Sequence, residues 1–331
     1  MSRVYLDHNA TTPLRAQARA AMLAAMDVAG NPSSVHGEGR AARALVERAR
    51  GQLAAALGCT ANEVVFTSGA TEAASVLAGG AEVDECAHEC LWVHHMPGAA
   101  LKAKGYANNE TGLIDDSDGA NLVDIVQAVG KVPFSFAWSG ADMAIVSAHK
   151  FGGPKGVGAL ILRDGVDIAP LAKGGGQEQS RRAGTENIVG IAGMAAAAEA
   201  AVADLAAGKW ARVESLRNGM EAALKAAAPD LIVFGEEGPR LPNTSNFAVP
   251  GWKGETQVMQ MDLAGFAVSA GSACSSGKVR PSRVLRAMGF DDVTASSALR
   301  ISLGLETTET DIARFCDAWL AEYARHKARA A

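Results

Sequence analysis

Apolar residues along the chain fall into two alternating periods. Alanine-rich helical spacing runs over residues 14–26 and 39–57. The run Glu63-Val-Val-Phe-Thr67 is short, continuous and β-branched, which predicts a strand. It breaks at Ser68-Gly69-Ala70, and Thr71-Glu72 opens the next helix. Strand, turn and helix then alternate as far as Leu162, the signature of an α/β fold with a mostly parallel sheet. Two long helices follow, over 187–207 and 211–227. The last third alternates again, with strands at 231–234, 245–249, 266–268 and 299–303 and helices near 256–263, from Pro281 and from Thr308. No flexible spacer interrupts the chain, so a border between two domains falls at the helix near Ala207. The expected division is a large domain over 14–207 and a smaller α+β domain made of 1–13 and 208–331.

Composition narrows the class. With 331 residues, 48% hydrophobic and 20% charged, the chain can bury the cores of roughly two globular domains. A net charge of −5 argues against a general binder of nucleic acid or anionic membrane. The apolar stretch near Met194 carries Glu199 and Asp204, so it reads as a core helix and no membrane span is expected. The start Met-Ser-Arg-Val-Tyr-Leu-Asp lacks a signal peptide's apolar core, which makes a cytoplasmic location the expectation. Five cysteines, an odd number, suggest free thiols.

The chemistry concentrates at Ser147-Ala148-His149-Lys150, which ends an apolar run and precedes a glycine-rich turn. Burial at a strand end works against a charged ammonium, as a Schiff-base lysine requires. Ser68-Gly69-Ala70-Thr71 would present backbone N–H groups to an anion, although read alone it is an ordinary helix N-cap. Asp124 follows Leu122-Val123 and can pair with a pyridine nitrogen, while Gln127 can donate to a ring oxygen. Read alone, without Lys150, Asp124 is a solvated loop residue. Cys274 lies in Gly271-Ser-Ala-Cys-Ser-Ser-Gly277, a run of small residues that predicts an exposed, mobile and reactive thiol, with Lys278 and Arg280 favouring the thiolate. Cys59 and Cys316 sit in helical patterns and read as structural. Arg300, inside an apolar strand, needs an anion: a substrate carboxylate or a structural partner. Residues 85–95 are dense in thiols and imidazoles, but their spacing matches no standard zinc pattern, so no metal is expected. The rival reading there is His88 stacked on a flat cofactor.

Together these pieces resemble the cysteine desulfurases, fold type I pyridoxal-phosphate enzymes of the class V aminotransferase group. The likeness rests on Tyr5-Leu-Asp-His-Asn-Ala-Thr-Thr-Pro13, Gly30-Asn-Pro-Ser-Ser-Val-His36, Phe66-Thr-Ser-Gly-Ala-Thr-Glu72, Asn108-Asn-Glu-Thr-Gly112, Ser147-Ala-His-Lys150, Arg182-Ala-Gly-Thr-Glu186 and Ser272-Ala-Cys274, all in the family's order. The resemblance implies pyridoxal 5'-phosphate as cofactor, carried by Lys150. It implies Asp124 at the pyridine nitrogen, Gln127 at the ring hydroxyl, and Ala70, Thr71, Ser147 and His149 around the phosphate. Thr185 would reach the phosphate of a second subunit, which implies a homodimer. His88 would stack on the ring and move protons. Asn109 and Arg300 would hold the carboxylate of L-cysteine, and Cys274 would take its sulfur for delivery to an acceptor protein. The length between Gly271 and Pro281 resembles the branch that serves iron–sulfur cluster assembly.

Two stretches are shorter than this resemblance leads one to expect: between Glu72 and Asn108, and between Gly112 and Asp124. The second removes the space for a helix and strand before Asp124. Three other readings therefore stand beside a desulfurase: a related aminotransferase or selenocysteine lyase, an inactive compact relative that acts as a binding partner, and a metal-binding module centred on residues 86–95.

Overall fold

The computed structural model describes residues 3–270 and 281–330. Two compact units emerge, one of Thr11–Ala107 with Asp115–Ala207, the other of Met1–Ala10, Asn108–Ile114 and Gly208–Ala331. The short strand β1 (Val4–Tyr5) belongs to the second unit.

In the larger unit, β2 (Val64–Thr67), β3 (Glu82–Val83), β4 (Lys102–Gly105), β5 (Leu122–Asp124), β6 (Met143–Ser147) and β7 (Gly158–Leu162) form one sheet in the order β2-β7-β6-β5-β4-β3. Strands β3 to β6 are parallel, and β7 runs antiparallel to both its neighbours. Every residue of β2, β5, β6 and β7 is buried, which explains their near-continuous apolar sequences. The expected helices appear as α1 (Ala16–Met26) and α2 (Gly37–Leu57), while α3 (Ala70–Ala74) and α4 (Glu89–Trp92) are short. Helix α5 (Ile188–Ala206) is long and apolar enough to cross a membrane by length and composition. Here it packs against α1 and α2, with Glu199 accepting from Gln52 and Asp204 paired to Arg15. Gly193 permits that packing, since a Cβ there would lie 2.6 Å from Met22 Cγ.

The smaller unit carries β8 (Ile232–Val233), β9 (Thr244–Ala248), β10 (Phe266–Ala267), β11 (Ser269–Ala270) and β12 (Ala298–Ser302). Four of them form an antiparallel sheet in the order β11-β12-β9-β8, and β1 pairs with β10. Its helices are α6 (Trp210–Ala227), α7 (Gly254–Leu263), α8 (Arg283–Ala287), α9 (Asp292–Ser296) and α10 (Glu309–Ala330). Phe247, Trp252, Trp319 and Tyr323 form an aromatic core. Buried Gln257 completes it by accepting from Trp319 Nε1 and donating to the carbonyls of Trp252 and Ser297.

The unit borders differ from the expected division in two places. Thr11 to Pro13 lie in the larger unit, because Thr12 N donates to the His149 carbonyl at 2.8 Å. Asn108–Ile114 lies in the smaller one, because Leu241 N donates to the Gly112 carbonyl and Ile114 N to that of Pro239.

Candidate active site

Sheet geometry places the lysine. Strand β6 ends at Ser147, and the chain closes a tight turn over Ala148–Lys150. Phe151 N and Gly153 N both donate to the Ala148 carbonyl, with Gly152 at φ +90° completing the reversal. The segment after Thr11 clamps this turn from outside. Thr12 Oγ1 donates to the Lys150 carbonyl at 3.0 Å, and Arg15 donates from Nε to that of Phe151 at 2.8 Å. Lys150 is half-buried on a backbone held from both sides.

Asp124 ends β5, which is hydrogen-bonded to a neighbour on each side despite its three residues. Its Oδ1 accepts from Val126 N at 2.9 Å. Burial pushes the carboxyl up to about 6, opposed by that N–H and by the positive charge of Lys150. His88 caps α4, its Nδ1 accepting from Cys90 N at 3.2 Å. Ligating atoms of His88, Cys90 and Asp124 all lie within 4.8 Å of one another, so the imidazole stands beside the buried carboxylate. The remaining histidines of this segment are used structurally: His95 stacks on Trp92 and accepts from Val83 N, and the His94 carbonyl accepts from Ala81 N. Gln127 is buried, and its Oε1 accepts from Lys131 Nζ at 2.7 Å. That bond orients the amide so that its NH₂ faces away from Lys131.

Ser68-Gly69-Ala70-Thr71 turns from β2 into α3 at the same sheet end as Ser147 and Gly158, since Thr67 pairs with Gly158 and Gly158 with Ser147. The backbones approach so closely that a Cβ on Gly158 would lie 2.5 Å from the Val146 oxygen and 2.6 Å from Gly69 Cα. Glu72 accepts from Ser68 N and from Arg182 Nε at 2.8 Å. Burial works against this carboxylate, but Arg182 and Ser68 outweigh it and hold the group below its ordinary value. His149 is pushed down to about 4 by burial and by the charges of Lys150 and Lys155, so near neutral pH it is uncharged and donates one N–H at most. Its Nδ1 lies 3.2 Å from Thr11 Oγ1. Thr185 is exposed and lines a cavity of about 130 Å³ with Phe66, Ser68, Val157, Arg182 and Asn187.

A buried ion pair with no signal in the sequence fixes the approach to Thr185. Glu178 takes both guanidinium ends of Arg50, at 2.7 and 2.8 Å, and the N–H of Phe66. Glu178, Gln179 and Ser180 all hold left-handed backbone, at φ +48°, +56° and +64°. Such strain in three successive non-glycine residues needs an anchor, and the bidentate pair supplies it.

The smaller unit holds its own polar centre. Arg300 is only 3% exposed on β12. Its Nη1 donates to the Asn109 carbonyl at 3.1 Å and its Nη2 to Asp7 at 2.9 Å. Asn9 Nδ2 also donates to the Asn109 carbonyl. The next residue, Glu110, is buried and accepts from Ser282 Oγ. Burial pushes Glu110 up to about 7, against Ser282 and the charges of Arg300 and Arg283. Sequence reasoning missed Glu110, Glu178 and Asn246; for Asn246, a carboxamide inside an apolar strand was the available signal. Cys274 lies outside the described residues. None of the described cysteines forms a disulfide; Cys316 is buried and Cys59 half-buried.

A mixed sheet with a lysine turn at one strand end, a buried aspartate beside that lysine and a separate smaller α+β unit define a fold type I enzyme. The aminotransferase class-V family model matches residues 4–91 and 103–315. A cysteine desulfurase of Cereibacter sphaeroides is 40% identical over 96% of this chain and 95% of its own. An IscS-like cysteine desulfurase of Mycobacterium tuberculosis is 36% identical over 93% of each. In structure, the NifS-like protein of Rickettsia africae superimposes with a TM-score of 0.88 at 30% identity, over 97% of this chain and 99% of that one. The chain belongs to the class-V aminotransferase family, in its cysteine desulfurase group. It is a shortened member: its 331 residues align with the first relative over 370 positions, and the internal stretch unmatched by the family model, 92–102, falls in the first of the two short segments.

Proposed function

We propose that the protein is a cysteine desulfurase that removes sulfur from L-cysteine, releasing L-alanine and leaving a persulfide on Cys274. The observation that carries this reading is the buried carboxylate of Asp124, with Lys150 and His88 gathered around it at the end of an intact β5. A buried acid needs a cationic or N–H partner, and a protonated pyridine supplies one. Gly69 leaves space beside Ser147, since a Cβ there would meet only Ser147 Oγ, at 3.8 Å, and such a glycine turn suits a phosphate. These residues fit pyridoxal 5'-phosphate, with Lys150 as its covalent anchor, Asp124 at the ring nitrogen, Gln127 at the ring hydroxyl, and Ala70, Thr71, Ser147 and neutral His149 at the phosphate. When bound, that cofactor supplies an electron sink that weakens the substrate's Cβ–S bond.

The chain's own groups do the rest. Arg300 and Asn109 take the substrate carboxylate. Lys150 and His88 move protons at the substrate carbons. Cys274 Sγ attacks the substrate sulfur as a thiolate; the S–S bond forms as Cβ–S breaks. The electron pair of the broken bond stays on carbon, which is protonated to give alanine. Thr185, exposed after the strained segment, supports a homodimer in which it reaches the second subunit's phosphate. A sulfur-acceptor protein, iron–sulfur cluster assembly as the pathway and the cytoplasm as location complete the proposal.

The inactive-relative reading drew on the short stretch before Asp124. In the structure that stretch is a loop, with turns made by Asp115 and Asp116 accepting from Ser117 N and Asp118 N, while β5 keeps both neighbours. The shortening therefore spares the carboxylate. The test is reduction of the reconstituted protein with borohydride followed by peptide mapping. Pyridoxal phosphate fixed on Lys150 supports the reading, and label elsewhere, or none, refutes it. A variant Cys274→Ala that turns over L-cysteine to alanine undiminished would point instead to the aminotransferase or lyase reading.

A further inference from the structure

Two buried polar groups in the smaller unit face each other without hydrogen bonds. Asn246 on β9 is 0% exposed, and neither its Oδ1 nor its Nδ2 has a partner. Arg300 Nε is buried and equally unpartnered. The register sets Asn246 directly opposite Arg300. Directly opposed residues of an antiparallel pair share one face, with Cβ atoms about 5 Å apart. The same face holds Thr244 and Ser302, whose hydroxyls accept from the side chain and the backbone of Asn9. The stripe is thus a polar seam along the sheet with a complementary donor and acceptor at its centre.

Each unsatisfied buried group costs about 1–3 kcal/mol. A sequence that keeps a carboxamide there, rather than leucine or valine, retains that cost for a reason. In this structure both Nη groups are engaged, by the Asn109 carbonyl and by Asp7, while Nε makes no hydrogen bond. A carboxylate arriving at Arg300 competes with Asp7 for Nη2. Once Asp7 is displaced, the guanidinium can turn within its own plane, and Nε meets the Asn246 oxygen.

We propose that Asn246 is a positioning residue for Arg300, accepting from Nε when an amino-acid carboxylate replaces Asp7. This rests on the reading of Arg300 as the carboxylate site. Asn246 touches no reacting atom; it fixes the angle of the fork that does. Only the acceptor oxygen is needed, so Asn246→Asp keeps the function and Asn246→Leu, of similar volume, loses it.

The experiment is calorimetric titration of the cofactor-loaded protein with L-alanine, the carboxylate-bearing product, and with ethylamine, which lacks the carboxylate. Arg300→Ala serves as reference, and Tm is measured for each variant. Asn246→Leu is expected to weaken L-alanine at least about tenfold, the scale of one hydrogen bond to a charged group. It should leave ethylamine unchanged and hold or raise Tm, because an orphaned amide is removed. Asn246→Asp is expected within about threefold of wild type for L-alanine. Loss in Asn246→Leu with retention in Asn246→Asp supports the proposal. If Arg300→Ala weakens L-alanine and Asn246→Leu does not, the proposal is overturned while the carboxylate reading stands. If Arg300→Ala leaves L-alanine unchanged, the carboxylate reading fails and takes the proposal with it. Equal losses of L-alanine and ethylamine in Asn246→Leu mark a packing residue and also overturn it.

Discussion

Replacing Gly158 by alanine adds one methyl group at a crowded point beside the proposed phosphate cup. The new Cβ would sit 2.5 Å from the Val146 oxygen and 2.6 Å from Gly69 Cα, both backbone atoms that cannot rotate away. Ordinary contact begins at 3.4 Å, so Gly69 must retreat by about 0.8 Å. Gly158 pairs with Thr67 and Ser147, so the methyl group pries the Ser68–Thr71 turn off the sheet end and also pushes on β6 at the Val146 carbonyl. Overpacking of this kind costs roughly 1–3 kcal/mol. For a domain near 200 residues that is about 2–4 °C in Tm per kcal/mol, so a fall of roughly 2–12 °C is expected in the cofactor-free protein. A phosphate held by backbone N–H groups moved nearly 1 Å should lose at least about tenfold in affinity. Thermal unfolding and a pyridoxal phosphate titration read the two effects. Gly51→Ala is the control: its Cβ would meet nothing within 4 Å in mid-helix α2, so it should raise Tm without touching cofactor affinity. A Gly158→Ala protein with wild-type Tm and cofactor affinity within about twofold would refute the crowding argument and the phosphate cup with it.

Arg50→Met leaves Glu178 buried without its cation and should destabilise the protein by about 3–5 kcal/mol in denaturant unfolding; a loss below about 1 kcal/mol would mean that the pair does not anchor the strained segment. His149 titrates below its unfolded value, so its contribution to stability is present above about 6.5 and is lost as pH falls toward about 4; His149→Asn should flatten that acid limb, as urea unfolding across the window would show. Asp124 is shifted the opposite way, so in cofactor-free protein its contribution is present below about 3.8 and is lost as pH rises through about 6; Asp124→Asn should remove that decline, and an unchanged pH profile would contradict the burial argument. Burial, then the charge of Glu63, pushes the Cys59 thiol up to about 12, and burial, then the charge of Asp317, pushes Cys316 up to about 11; both should resist alkylation in the native protein at mildly alkaline pH, and mass spectrometry showing rapid labelling of either would refute this.

Much of the fold could be read from periodicity because its strands are short, wholly buried apolar runs bounded by glycine or polar turns. The expected strand at 63–67 is β2, and the pattern at 299–303 is β12 shifted by one residue. What periodicity could not show is direction: β7 lies between β2 and β6 and opposes both, yet its sequence reads like any buried strand. Lys150 and Asp124 stand out in the sequence because each ends an apolar run, where a charge is costly unless used, and the sheet brings the two close enough to interact. The central placement of β5 was not legible, since three residues carry no signal of two neighbours. Glu178 follows three glycines and one glutamine with no periodicity around it; only the fold brings Arg50 to it from 128 positions away. The thiol at residue 90 gave no hint that it stands beside Asp124, because that proximity arises from the capping turn at His88.

The central claim is that one lysine and one thiol of this chain together move sulfur from L-cysteine. Anaerobic incubation of the cofactor-loaded protein with L-cysteine, counting alanine and the sulfane sulfur on Cys274 in the first turnover, tests it directly. Equal amounts of the two products in wild type, and neither in Lys150→Ala, are predicted. Alanine formed without sulfur on Cys274, or formed undiminished in Lys150→Ala, would contradict it.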